Sequence, residues 1–246
     1  MRKRQIAALL LIAVLALTLA ACAQSPALRD ALPKESCASA ELSVQKDGAA
    51  LTLPGEEEKL LAPLRTADFE ALSALSAETL TVTVADDAPQ AELWLALGAA
   101  KNIRCLNVEG AKELSALNAA SIPEMHLVAC DLAGFAPQGA ETLSLTRCTG
   151  ASAERISALP ALAELRLSGT KGIDNLLSLK NCPALKALVL TTELAKTSDD
   201  AIAALPFTVL PEGEGVYPEG LAADYPMDEI IAFAAASGVP VTITRD

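Results

Sequence analysis

The chain has few aromatic residues, few basic residues and a single histidine. Aromatic side chains make up 3% of its 246 residues, and 19 Lys and Arg stand against 31 Asp and Glu, for a formal net charge of -12. A nucleic-acid-binding protein needs clustered Lys and Arg to contact phosphates, and the only basic run here is Arg2–Arg4. His126 alone does not supply the imidazoles used in most metal and catalytic-triad sites. The composition therefore argues against nucleic-acid binding and most such chemistries.

Catalytic motifs are also missing from the sequence. It contains no G-x-S-x-G, no H-E-x-x-H and no phosphate-binding loop. Acidic runs at 56–58, 86–87 and 199–200 are typical of solvated loops or helix starts. The acidic segment 212–219 lacks the alternating ligand spacing of a calcium loop. We therefore predict no catalytic residue, no metal ligand and no cofactor.

The N-terminus has the pattern of an export signal. Residues 1–5 read MRKRQ, and residues 6–21 form an uncharged apolar run. The run ends in Leu19-Ala20-Ala21-Cys22, which resembles the lipobox of bacterial lipoproteins. This resemblance implies removal of residues 1–21 and acylation of Cys22. An ordinary cleaved signal and an uncleaved single span are the alternatives.

The implied location is extracytoplasmic, with the chain anchored to a bacterial membrane through acylated Cys22. Each buried methylene contributes about 0.8 kcal/mol, so two or three acyl chains give stable anchoring where one does not. Residues 22–40 contain two prolines and little periodicity. They are predicted to form a flexible tether with an exposed Cys37.

Residues 41–76 are predicted to form a small cap of a β-hairpin and a helix. Apolar residues alternate over Glu41–Leu53 around Asp47-Gly48, which favours a hairpin with a type I′ turn. Leucines and acids recur at helical spacing after residue 56, and Asp68–Leu75 is the predicted amphipathic helix.

A repeating phrase, apolar-x-x-apolar-x-apolar, begins near residue 77 and occurs six times. Successive fourth positions are separated by 26, 19, 18, 22 and 23 residues, and they are Leu80, Leu106, Met125, Leu143, Leu165 and Leu188. Residues 122–132 match the whole phrase L-x-x-L-x-L-x-x-N/C-x-L, and residues 140–148 match its first nine positions. Over about 77–190 the chain thus resembles the leucine-rich repeat family, and over 156–190 it looks like internalin-type bacterial surface proteins.

The chain departs from the family at the ninth position of the phrase. Cys130, Cys148 and Thr170 stand there in place of asparagine. The resemblance implies an α/β fold, a leucine-rich repeat solenoid over residues 77–210 with a parallel sheet on its concave face and short helices or turns on its convex face. The predicted connecting helices are Pro89–Leu97, Ala153–Leu159 and Asp199–Leu205.

Residues 211–246 are predicted to form a C-terminal capping segment. It begins with a loop rich in Pro, Gly and acids, followed by a helix over Asp228–Ser237 that ends at Gly238. A final strand is predicted over Val239–Thr244. A solenoid needs such an element because its last repeat would otherwise expose the core.

The predicted function is non-catalytic recognition of a protein or cell-envelope ligand by the concave face. Alternation along each strand directs the third, fifth and seventh positions of the phrase outward, and solenoids bind partners through such residues. The candidates are Asn107, Glu109, Glu124, His126, Thr142, Ser144, Glu164 and Arg166, flanked by Val128, Thr146 and Ser168. A structural envelope lipoprotein without a specific ligand is the alternative, and an enzyme is a third possibility.

Five cysteines remain once Cys22 is set aside, an odd number that leaves at least one unpaired. The sequence has no C-x-x-C, and His126 and Cys130 form an isolated pair, so no zinc site is predicted. Cys130, Cys148 and Cys182 are expected to be buried free thiols, because cysteine packs as a small hydrophobe. Cys105 falls at an outward strand position and is the thiol to test for reactivity.

Overall fold

The computed structural model describes residues 27–33, 35–86, 88–100, 102–170, 173, 175–192, 206–210 and 225–245. Cys22, the signal segment 1–21, the helix predicted at Asp199–Leu205 and the acidic segment 212–219 lie outside these ranges.

The described residues form one mostly parallel sheet of eleven strands, with short helices in the connections. In chain order the elements are α1 (Leu28–Ala31), β1 (Cys37–Gln45), β2 (Gly48–Thr52), β3 (Lys59–Leu61), α2 (Thr66–Leu72), β4 (Ser76–Val84), α3 (Gln90–Ala99), β5 (Asn102–Glu109), a first 3₁₀ helix (Leu114–Ala119), β6 (Glu124–Val128), β7 (Thr142–Thr146), α4 (Ala153–Ser157), β8 (Glu164–Ser168), a second 3₁₀ helix (Leu176–Asn181), β9 (Ala187–Thr192), β10 (Phe207–Val209), α5 (Met227–Ser237) and β11 (Val241–Arg245). The order of strands across the sheet is β10-β11-β9-β8-β7-β6-β5-β4-β1-β2-β3.

Each of the six repeat phrases supplies one strand, from β4 to β9, and neighbouring phrases pair in parallel. The fourth and sixth positions of the phrase are aligned from strand to strand and are buried. Met125, for example, faces Leu106 on one side and Leu143 on the other. No single phrase can bury its apolar face alone, so the core exists only because the strands stand side by side. The predicted mostly parallel α/β architecture is confirmed at this level.

Every strand from β5 to β8 is followed by a residue in the left-handed backbone region. These are Gly110, Ala129, Arg147 and Gly169, with φ of 75°, 52°, 51° and 51°. All four occupy the eighth position of the phrase, and the turn sends the ninth residue back towards the core. Left-handed backbone costs a residue with a Cβ about 1–2 kcal/mol, which glycine avoids.

Three ninth-position side chains, those of Cys130, Cys148 and Thr170, are buried and bond to backbone carbonyls of the strands. Thr170 Oγ1 donates to Leu145 O at 2.8 Å. Cys148 Sγ lies 3.3 Å from Leu127 O, and Cys130 Sγ lies 3.3 Å from Val128 O. A thiol or a hydroxyl thus satisfies buried carbonyl groups next to the strands.

Helices lie in the connections between strands, on the buried side of the sheet. The helices predicted at Pro89–Leu97 and Ala153–Leu159 are confirmed as α3 and α4 with shifted ends. Two further connections form 3₁₀ helices that the sequence analysis did not predict. Each follows a left-handed residue, Glu113 or Asn175.

The N-terminal segment is more ordered than the sequence predicted. Residues 22–40 were expected to be a flexible tether, yet α1 covers Leu28–Ala31 and β1 begins at Cys37. Leu28 is 1% exposed in the main core, and β1 pairs in parallel with β4 from Cys37 onward. Cys37 is half-buried, not exposed as expected. The sheet thus continues without a break into the predicted cap.

The predicted hairpin is confirmed, but its turn is not. Gln45 pairs with Gly48, so the turn residues are Lys46 and Asp47, and neither is among the positive-φ residues of the described chain that a type I′ turn would require. Gly48 instead allows β3 to approach, because a Cβ there would lie 3.0 Å from Leu61 O. The strand β3 falls in a stretch where leucine and acid spacing had suggested a helix, and only the part from Thr66 to Leu72 is helical.

The C-terminal elements extend the sheet as well as cover it. The predicted helix and strand are confirmed as α5 and β11, and Gly238 ends α5 with φ of 71°. Strand β11 pairs in parallel with β9, and β10 pairs antiparallel with β11 at the edge. The Glu229 carboxylate on α5 accepts a hydrogen bond from Leu176 N at 2.7 Å. This contact joins α5 to the second 3₁₀ helix.

Candidate functional site

Outward side chains form three rows across the sheet, on the side opposite the buried positions. The strand register aligns the third, fifth and seventh positions of successive phrases. We call this surface the outer sheet face, and from β4 to β8 its rows are Thr79-Cys105-Glu124-Thr142-Glu164, Thr81-Asn107-His126-Ser144-Arg166 and Thr83-Glu109-Val128-Thr146-Ser168.

The eight residues predicted for ligand binding all lie on this face. Each is exposed or half-buried, in contrast to the fully buried apolar rows beside them, and they are Asn107, Glu109, Glu124, His126, Thr142, Ser144, Glu164 and Arg166. Parallel pairing places Glu124 beside Thr142 and Thr142 beside Glu164. Residues from four phrases therefore form one continuous surface, as the spacing predicted.

Two carboxylate–base contacts of the same design lie on the outer sheet face. Glu124 and His126 are two residues apart on β6, and their Oε1 and Nε2 atoms lie 2.8 Å apart. Glu164 and Arg166 are two residues apart on β8, with Oε1 and Nε at 2.7 Å. An exposed ion pair such as Glu164–Arg166 contributes about 0–1 kcal/mol to stability. The contacts matter more for the surface pattern, because each carboxylate is hydrogen-bonded to a nitrogen base on its own strand.

The β5 end of this face carries a chain of polar contacts. Asn107 Nδ2 donates to Thr81 Oγ1 at 3.1 Å on the neighbouring strand. Cys105 Sγ lies 3.7 Å from Asn107 Oδ1, on the same strand. Burial, and then the nearby Glu124 carboxylate, raise the pKa of the Cys105 thiol. Cys105 is thus half-buried at the outward position that the alternation predicted.

The structure brings Cys105, Glu124 and His126 together, a grouping that the sequence analysis missed. The candidate ligand atoms of these three side chains all lie within 4.8 Å of one another. Cys105 and Glu124 are 19 residues apart in the chain but directly opposite each other on β5 and β6. The 19-residue interval between the two phrases was the signal, because it places both residues at the third position of adjacent phrases.

The remaining thiols agree with their predicted role. Cys130, Cys148 and Cys182 are buried and free, and Cys182 Sγ lies 3.5 Å from Leu159 O. The hydrogen bond with Cys148 and then burial hold the pKa of the Cys130 thiol well above its usual range. Burial raises the pKa of Cys182. The three thiols are therefore part of the core, where they contact backbone carbonyl groups.

An apolar groove on the helical side was not predicted. It lies between α2 and α3, has a volume of about 650 Å³, and includes Phe69 and Leu95 in its lining. Leu95 is 68% exposed although it lies in the middle of α3. The groove is distant in the fold from the outer sheet face, because α3 packs Leu93 and Leu97 into the core from the opposite side.

The fold and this surface define an α/β protein with a large, mostly parallel sheet and a continuous polar face. No family model, no curated protein and no solved structure matches the chain. Within the described ranges, no helix has both the length and the apolar character needed to cross a bilayer.

Proposed function

We propose that this chain is a lipid-anchored, extracytoplasmic leucine-rich repeat protein that recognises a protein or cell-envelope ligand without catalysis. The observation that carries the proposal is the outer sheet face, where three aligned rows of side chains stand on a rigid, fully buried apolar layer. Residues on regular strands are held in place more firmly than residues on loops, so such a face presents a preorganised surface.

The repeat assignment is supported by what each phrase builds. Each phrase gives one strand, the four phrases of β5 to β8 have a left-handed residue at the eighth position, and three of those four have a buried thiol or hydroxyl at the ninth. The same structural features therefore recur in neighbouring phrases. Solenoids of this kind present extended sheets whose outward residues vary without disturbing the core.

The anchoring part of the proposal depends on the lipobox-like residues at 19–22, outside the described ranges. The first helix of the described ranges begins at Leu28, six residues after Cys22, and six extended residues span at most about 20 Å. Loss of residues 1–21 would remove Arg2, Lys3 and Arg4, which changes the formal charge from -12 to -15. Anionic lipid headgroups repel such a surface, which favours a domain held by its acyl chains alone.

Non-catalytic recognition is favoured by the pairing on the outer sheet face. Glu124 and Glu164 are each engaged by a neighbour on their own strand, and the side chains between them are the hydroxyls of Thr142 and Ser144. Mixed hydroxyl and paired-charge surfaces suit a polar partner. The face lacks the aromatic anchors of tight protein interfaces, so we expect modest affinity.

Labelling with a palmitate analogue tests the anchor. Expressed in a bacterium, the native chain should incorporate the label and sediment with membranes, whereas Cys22→Ala should do neither. Cys37→Ala, which removes a thiol from β1, is the matched control and should behave as the native chain does. Equal labelling of the native chain and Cys22→Ala would contradict the lipoprotein assignment.

Capture of envelope components by the full chain tests recognition. Ser144→Arg and Arg166→Glu change the centre of the outer sheet face, and both should reduce capture of a retained component. Arg155→Glu reverses a charge on α4, in a connection on the helical side, and should leave capture unchanged. If all three variants capture the same components as the native chain, the face has no recognition role and a structural lipoprotein without a specific ligand is the better description.

A further inference from the structure

The strand register creates a mixed group of sulfur, oxygen and nitrogen ligands on the outer sheet face. Cys105 on β5 lies directly opposite Glu124 on β6, and His126 is the next outward residue along β6. Their Sγ, carboxylate and ring-nitrogen atoms all lie within 4.8 Å of one another. Buried Leu106 and Met125 lie beneath them and fix the direction of both strands.

These three groups match the ligand chemistry of one metal class. Thiolate, imidazole and carboxylate are the side chains that bind Zn²⁺, at about 2.0–2.3 Å from the ion. Tetrahedral ligands at those distances stand roughly 3.3–3.8 Å apart. Glu124 Oε1 and His126 Nε2 lie 2.8 Å apart, slightly closer than that range, and all three ligand atoms lie within 4.8 Å of one another. Binding of a metal therefore requires only small movements of these side chains.

We propose that Cys105, Glu124 and His126 bind a divalent transition-metal ion of the Zn²⁺ type, with a fourth coordination position open towards solvent. This site does not depend on the recognition function proposed above. Three protein ligands with one exchangeable position are typical of zinc sites that accept water or a ligand atom from another molecule. Glu124 and His126 are 48% and 34% exposed, so the open position is reachable from outside.

A second pair on the same face shows why this location differs from an ordinary ion pair. Glu164 and Arg166 repeat the spacing of Glu124 and His126 on β8, at the same positions of their phrase. There the basic partner is a guanidinium, which has no lone pair for a metal. The residues opposite that acid are Thr142 and Ala187, not a cysteine. Only the β5–β6 location combines the three ligand types among the described residues.

A hydroxyl lies beside the sulfur. Thr79 faces Cys105 on the neighbouring strand, and its hydrogen bond to the sulfur favours the thiolate, which lowers the pKa of Cys105 against the larger effect of burial. The thiol donates to Asn107 Oδ1 at 3.7 Å, a contact that is released when a metal replaces the thiol proton. Polar partners that donate to a metal ligand orient it and are part of the affinity of a site. On the other side, the residues of β7 opposite Glu124 and His126 are Thr142 and Ser144. These hydroxyls bring no competing positive charge.

Metal titration of the full chain, stripped with a chelator and kept reduced, tests the proposal. Zn²⁺ followed by calorimetry should bind with one strong site per chain. Co²⁺ should give a thiolate-to-metal charge-transfer band and the visible bands of a tetrahedral site. Cys105→Ser should abolish the charge-transfer band, and His126→Gln should weaken Zn²⁺ binding by at least about tenfold, the loss expected for a metal ligand or its close support.

Matched variants separate the site from general effects. Glu164→Gln alters the equivalent acid on β8, and Cys37→Ser removes another half-buried thiol; both should bind as the native chain does. Circular dichroism verifies that each variant is folded, and iodoacetamide labelling gives a second readout. Zn²⁺ should protect Cys105 from alkylation in the native chain, and His126→Gln should lose that protection. Absence of one-to-one binding in the native chain, or binding unaffected by both Cys105→Ser and His126→Gln, overturns the proposal.

Discussion

Thr170 Oγ1 lies 2.8 Å from Leu145 O, so a side chain of one repeat closes a hydrogen bond on the strand of the repeat before it. Thr170 is 3% exposed, and its oxygen also lies 3.4 Å from Cys148 N. The hydroxyl therefore serves a donor and an acceptor of the backbone in a place that water does not reach. The Cys130 and Cys148 thiols make the same kind of bond to Val108 O and Leu127 O. These bonds link each repeat to the strand of the repeat before it.

Replacement of Thr170 by valine should lower the free energy of unfolding by about 1–3 kcal/mol, because the buried Leu145 carbonyl loses its partner while the shape is kept. Thr149→Val, at an exposed position, should change stability by less than about 0.5 kcal/mol. Urea unfolding can be followed by the fluorescence of Trp94, the only tryptophan, which is fully buried. Equal effects of the two variants would show that the ninth-position bond contributes nothing.

The left-handed turns predict a stabilising substitution. Ala129 has φ of 52° at a position where Gly110 and Gly169 stand in other repeats. Ala129→Gly should raise the free energy of unfolding by about 0.5–1 kcal/mol, since relief of the left-handed strain exceeds the added flexibility of the unfolded chain. Gly169→Ala should lower it. The control is Ala133→Gly, at an exposed position with ordinary φ, which should be neutral or destabilising; a similar gain there would contradict the strain explanation.

The N-terminal helix gives a prediction that separates a packed segment from a tether. Leu28 is 1% exposed, and Arg29 N lies 3.4 Å from the buried Asp68 carboxylate of α2. Leu28→Ala should therefore cost about 2–5 kcal/mol. Asp30→Asn, on the exposed side of the same turn, should cost less than about 0.5 kcal/mol. Stability of Leu28→Ala equal to the native chain would restore the flexible-tether description.

The repeat strands were predictable because their signal is local and recurrent. Alternation at period two, repeated six times, is enough to place Leu106, Met125 and Leu143 on buried rungs and the residues between them outside. The short helix α1 was not predictable in this way. Four residues carry no helical periodicity, and what orders them is contact with distant parts of the core around Asp68.

The candidate site was predicted in part, for a related reason. Outward positions follow from alternation along one strand, so each of the eight residues on the outer sheet face could be placed singly. The meeting of Cys105 with Glu124 and His126 depends on the register between two strands. The shared third position of the two phrases implies this register only once adjacent phrases are taken to pair in parallel, and the irregular repeat intervals of 18 to 26 residues make that pairing hard to recognise.

The buried Cys182 thiol predicts how stability changes with pH. Burial raises the pKa of the Cys182 thiol from the ordinary value of 9.0. As pH rises above about 9, the unfolded chain releases this proton while the folded chain retains it. The stabilisation is therefore complete below pH 9 and is lost above it, at up to about 1.4 kcal/mol per pH unit.

Serine tests this dependence, because its hydroxyl is of similar shape, can donate to the same carbonyls and does not titrate in this range. Cys182→Ser should lower stability at neutral pH but flatten its decline between pH about 8 and about 10.5. Urea unfolding at a series of pH values, for this variant and the native chain, gives the two slopes directly. Parallel curves would mean that the Cys182 thiol ionises equally in the folded and unfolded chains, and that its burial in the core does not control its protonation.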